Sequence, residues 1–117
     1  MTLDEFFDGH HESRRLYAAV ARVVAGIGPA TVRVTKSQVA FRRRTAFAFA
    51  WRPALYLQRS APLVLTVALR RRDDSPRWKE VVEPAPGRFT HHLELWNTAA
   101  VDDEVGDWLR EAWEAAA

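Results

Sequence analysis

Between Thr31 and Trp51 apolar side chains fall on every second position. Val32 and Val34 alternate with Arg33 and Thr35, Val39 and Phe41 with Ala40 and Arg42, and Phe47, Phe49 and Trp51 with Ala46, Ala48 and Ala50. A period of two in β-branched and aromatic residues predicts half-buried strands, here three in an antiparallel meander. A two-residue turn at Lys36-Ser37 sets Val34 against Val39 and Val32 against Phe41, so all four share one face. At the next turn, a two-residue loop of Arg43-Arg44 puts Phe47 on the wrong face. A three-residue loop, Arg43 to Thr45, instead pairs Phe41 with Phe47 and Val39 with Phe49. That register predicts a core of Phe41, Phe47 and Phe49, together with Val24, Leu65, Leu93 and Leu109.

The flanks change period. Thr2 to Glu5 fits a capping box and predicts a short helical turn through Phe7 that Gly9 ends. Leu16, Val20, Val23, Val24 and Ile27 form a stripe at helical spacing, which predicts a helix from about His11 to about Ala25, stopped by Gly26, Gly28 and Pro29. After the meander, Arg52-Pro53 ends the third strand and Ala54–Ser60 reads as a connector. Pro62–Leu69 reads as a fourth strand, apolar in both alternating sets and therefore central. Arg70–Gly87 reads as a long irregular connection, because Pro76, Pro84, Pro86 and Gly87 argue against a central element. Arg88–Leu95 returns as a fifth strand with Phe89, His91, Leu93 and Leu95 on one face. A last helix lies within Thr98–Ala117, N-capped by Asp102, with Val101, Val105, Trp108, Leu109, Ala112 and Trp113 as its buried stripe. The expected architecture is a single α+β domain spanning residues 1–117: an antiparallel sheet of about five strands with the N- and C-terminal helices packed on one face.

Composition narrows this further. With 48% hydrophobic residues in a chain of 117, a packed core is available. There is no cysteine, so thiol and disulfide chemistry are excluded. The longest apolar run, Ala61–Leu69, is too short to span a bilayer, and the acidic N-terminus has no signal-peptide core. The reading places the protein in the cytoplasm with no membrane partner. Net charge is only +2 but unevenly spread. Residues 33–88 hold thirteen basic and four acidic side chains, an excess of nine positive charges; the remainder holds four basic and eleven acidic, an excess of seven negative. A basic middle points to an anionic partner such as nucleic acid. The competing reading is compositional, since GC-rich coding also enriches Arg and Ala.

No glycine-rich phosphate loop, nucleophile elbow or paired-His metal motif is present, and no cofactor or metal is implied. His91 and His92 point to opposite sheet faces; His91 reads as a core histidine with a hydrogen bond, and His92 with Glu94 as a candidate acid–base pair. Lys36 sits in a polar turn and reads either as an anion contact or as an ordinary solvated residue. The candidate binding residues are Lys36, Arg42, Arg44, Arg70, Arg72, Arg77, Trp78 and His92. The Arg clusters close two strands; on one rim they make a basic patch beside which Trp51 and Trp78 stack bases, and on opposite rims they are solvated strand ends. Three function classes follow: a binding module using a basic rim, a protein-interaction or dimerisation module drawing on the five tryptophans, and an enzyme built around His92, Glu94 and Lys36.

The stretches Thr35–Phe41, Phe47–Trp51, Ser75-Pro76-Arg77, Phe89–Leu95 and Asp102–Trp113 resemble an uncharacterised bacterial family, the domain of unknown function numbered 5655. The resemblance covers nearly the whole chain. It implies an α+β domain and no established activity, cofactor or catalytic residue.

Overall fold

The computed structural model describes residues 1–53 and 60–117; most of the predicted connector, residues 54–59, lies outside them. Two helices precede the sheet: α1 (Leu3–Phe6) and α2 (His11–Ile27). The six strands are β1 (Thr31–Val34), β2 (Val39–Arg42), β3 (Ala46–Trp51), β4 (Leu63–Leu69), β5 (Glu80–Ala85) and β6 (Arg88–Leu95). A 3-10 turn at Thr98–Ala100 leads into α3 (Asp103–Ala115). All pairings are antiparallel, in the order β1-β2-β3-β4-β6-β5.

The helix boundaries follow their capping chemistry. In α1 the Thr2 hydroxyl accepts from the Glu5 N–H at 3.1 Å, and the Glu5 carboxylate accepts from the Thr2 N–H at 2.9 Å. Asp102 caps α3 by accepting from the Val105 N–H at 3.1 Å. α2 ends at Gly28, where a Cβ would sit 2.4 Å from the Trp113 ring of α3. Glycine is therefore required by the close approach of the two helices.

Sheet register decides what each face carries. Val34 pairs with Val39 and Val32 with Phe41, as the turn argument predicts. Arg42 pairs with Ala46 across a three-residue loop, but the next pair is Phe41 with Ala48, a β-bulge at Phe47. One extra residue leaves Phe47 and Ala48 both buried and reverses the parity beyond. Phe49 therefore pairs with Ala40 and faces away from the helices, half-buried, instead of joining Phe41 and Phe47 in the core.

The core forms between one sheet face and the two long helices. Val39, Phe41, Phe47, Leu65, Val67, Leu93 and Leu95 pack with Leu16, Val20 and Val24 of α2 and Val105, Leu109 and Ala112 of α3. β4 lies between β3 and β6 and is buried along its whole length, as expected of a central strand. The sheet has six strands where five were expected, because residues 80–85 form an edge strand. Pro84 is tolerated there because β5 pairs on one side only and its register shifts between Val82 and Ala85. Among the described residues no helix is long and apolar enough to cross a membrane.

Candidate functional site

The antiparallel order fixes which strand ends share a rim. β2 ends and β3 begins at the Arg43–Thr45 loop, β4 ends at Leu69 beside Phe89, and β6 begins at Arg88. Arg42, Arg43, Arg44, Arg70, Arg71, Arg72 and Arg88 thus gather at one end of the sheet. α3 runs so that its C-terminus arrives at the same end.

That helix end explains part of the clustering. α3 has no basic residue in its last turn, so its terminal carbonyls draw donors from elsewhere. Arg43 donates through Nη1 to the Trp113 carbonyl at 3.2 Å, with its guanidinium 3.5 Å above the Trp113 ring. Arg70 donates through Nη2 to the Ala115 carbonyl at 2.7 Å, and the Arg44 N–H donates to the Ala116 carbonyl at 3.0 Å. Arg71 forks onto Glu111 at 2.8 and 2.9 Å and reaches Asp73 at 2.9 Å. Its pKa is pushed further up, first by Glu111 and then by Asp73. Arg88 donates to the Ala46 carbonyl at 3.3 Å. Arg72 lies over the Phe89 ring at 5.5 Å. The guanidiniums of Arg42, Arg44 and Arg72 donate to no acceptor among the described residues. A recess of about 170 Å³ opens at this rim, with Thr45, Arg70 and Arg88 in its wall.

The remaining candidates sit elsewhere. Lys36 occupies the β1–β2 turn at the opposite end of the sheet. Arg77 clamps the N-terminus of α3, donating to Asp102, to Glu104 at 2.8 Å and to the Ala100 carbonyl at 3.1 Å. These contacts, Glu104 foremost, raise its pKa. Trp78 is only 8% exposed. It packs on Trp108 at 4.2 Å and His91 at 4.9 Å, and donates to Asp73 at 2.8 Å. It is a core residue with no free ring face for stacking a base.

His91 is fully buried, and its hydrogen bonds fix its tautomer. Nε2 accepts from the Asp73 N–H at 2.9 Å, so Nδ1 carries the hydrogen shared between the Phe89 and Val67 carbonyls at 3.2 and 3.3 Å. Burial holds its pKa below the ordinary histidine value. Asp73, in turn, is held below the usual carboxylate range. Burial opposes this, but hydrogen bonds from the Trp78 indole, the Ser75 N–H and Arg71 outweigh it.

His92 points to the helix-free face. The Trp51 indole donates to the Thr66 hydroxyl at 2.9 Å; the Thr66 hydrogen has no acceptor among the described residues other than His92 Nδ1 at 2.7 Å, which assigns the imidazole hydrogen to Nε2. Burial lowers the His92 pKa as well, which favours the neutral ring. A shallow recess of about 360 Å³ is lined by Ser37, Gln38, Phe49, Trp51, Thr66, Thr90 and His92. It includes neither Glu94 nor Lys36; Glu94 lies 4.0 Å from Lys79. His92 and Glu94 stand two residues apart on the same face of β6, and no group of metal-binding side chains occurs among the described residues. The legible sign of this relay was Thr66, a lone hydroxyl in the apolar β4 run.

Neither the curated proteins nor the solved structures contain a match to this chain. A family model does match, over residues 3–116, and the chain belongs to the family described as Domain of unknown function (DUF5655).

Proposed function

We propose that the protein is a cytoplasmic binding module that uses the Arg rim to hold an anionic partner, with nucleic acid as the partner of first choice. The observation that supports this is the gathering of the Arg42–Arg44 and Arg70–Arg72 turns at one sheet end, with Arg88 reaching the Ala46 carbonyl at the same end. Four of these side chains also serve the fold: Arg43, Arg70 and Arg88 donate to backbone carbonyls, and Arg71 pairs with carboxylates. A carbonyl does not cancel a guanidinium charge, so Arg43, Arg70 and Arg88 still add to the local potential. Arg42, Arg44 and Arg72 add theirs with their donors unspent.

The test is a titration of duplex and single-stranded oligonucleotides at two salt concentrations. Affinity should fall steeply with salt as bound cations leave the phosphates, and Arg42→Ala with Arg44→Ala should flatten the slope by about two on duplex. Lys36→Ala and Arg77→Ala, at the far end, should change little. Absence of binding at low salt would remove nucleic acid as the partner. Binding indifferent to the Arg42 and Arg44 changes would reduce the rim to a solvated edge that also caps α3.

A further inference from the structure

The sheet face opposite α2 and α3, which carries no helix among the described residues, has a chemistry of its own. Bulge-shifted Phe49 and Trp51 are neighbours on that face of β3, two residues apart and so roughly 7 Å along the strand. Both are half-buried and line the recess on this face. Beside them lie two groups with no hydrogen-bond partner among the described residues: the Gln38 side-chain amide and the Nε2–H of His92, whose orientation the Trp51–Thr66–His92 relay fixes. Register also brings charge to this face. Arg33 pairs with Ala40, which pairs with Phe49, and Arg42 stands two residues along from Ala40 on the same side. Neither guanidinium has an acceptor among the described residues. The β5 side of the face is acidic, with Glu80 opposite His92.

We propose that this face takes the unpaired bases of a single-stranded nucleic acid. Phe49 and Trp51 stack successive bases, Gln38 and His92 contact base edges, and Arg33 and Arg42 hold the adjoining phosphates. Arg42 belongs both to the rim and to this face, so the proposal rests on the rim reading and extends it. Flat rings accept any base, so recognition is sequence-tolerant but demands a strand whose bases are free. The basic β1–β2 side and the acidic β5 side orient the strand, with its backbone toward Arg33 and Arg42.

The experiment compares three probes of equal length at low salt: a single strand, its abasic counterpart with the same phosphates, and a duplex. The unaltered protein should bind the single strand at least about fivefold more tightly than the abasic one. Phe49→Ala should close that gap while leaving duplex affinity and its salt dependence in place. The abasic comparison uses the unaltered chain, so it reads out even where Phe49→Ala fails to fold. Gln38→Ala supplies a second, exposed variant, expected to narrow the gap. Equal affinity for intact and abasic strands overturns the base-stacking face and leaves the rim standing. A gap that survives in folded Phe49→Ala does the same. No binding of any probe overturns both.

Discussion

The two faces of the sheet come from the same strands by the same alternation, yet they differ in kind. On the helix side Phe41, Leu65 and Leu93 are buried in one apolar cluster with residues of α2 and α3. On the other side Phe49 and Trp51 keep some of their surface, and Thr66, Trp51 and His92 satisfy one another across three strands. Aromatic content therefore does not separate stability from contact surface in this sheet. What separates them is how a buried polar residue finds its partners: His91 on the helix side is satisfied by backbone groups, whereas Thr66 on the other side is satisfied by the Trp51 and His92 side chains.

Truncating one ring on each side should separate the two faces most strongly. Phe41→Ala should cost about 3–5 kcal/mol, the usual loss for a fully buried aromatic. Phe49→Ala should cost about 1–2 kcal/mol, because part of that ring remains wetted. Urea unfolding with unchanged m-values measures both; equal losses would mean that the two faces are equally part of the core.

A smaller contrast lies where α2 meets α3. Gly28→Ala places a methyl against the Trp113 ring and should destabilise by about 1–3 kcal/mol. Gly26→Ala, inside the same helix with nothing within 4 Å, should stabilise by about 0.5–1 kcal/mol. Thermal unfolding of the two variants should move in opposite directions.

The smallest effect is in pH. Burial holds the pKa of His91 on one face, and of His92 on the other, below the ordinary 6.5. The folded state then binds fewer protons than the unfolded state, so stability is full above that value and declines as pH falls through it. The urea midpoint should drop between pH 7.5 and pH 5, and the drop should shrink in His91→Leu. An undiminished drop would assign the proton to the outer face and His92.

Much of this was legible in the chain. The Thr2–Glu5 box, the Asp102 cap, the Val34–Val39 register, the central position of β4 and the buried role of His91 follow from local chemistry and period. Three features were not, each because a tertiary partner decides it. The bulge at Phe47 has no glycine to announce it, and it turned Phe49 outward. The prolines around β5 read as breakers because an edge strand, needing partners on one side only, obeys weaker rules. Of the candidate ligand residues, the rim arginines do converge, but Trp78 and Arg77 are taken up by the fold, in a ring stack and a helix-end clamp. The need for donors at the bare C-terminus of α3 was visible in its Ala-rich ending, although which arginines would answer it was not.

The strand order has a consequence for synthesis. β6 lies between β4 and β5, so the chain emerging from the ribosome presents β5 before β6, the strand it pairs with. At that moment the edge of β4, apolar along its length, is vacant, and residues 80–85 are the nearest segment able to occupy it. Glu80, Glu83 and Pro84 make them a poor occupant: two charges unsuited to burial and one position with no N–H to give. The same residues that confine β5 to the rim of the finished sheet hold the place beside β4 open until β6 arrives.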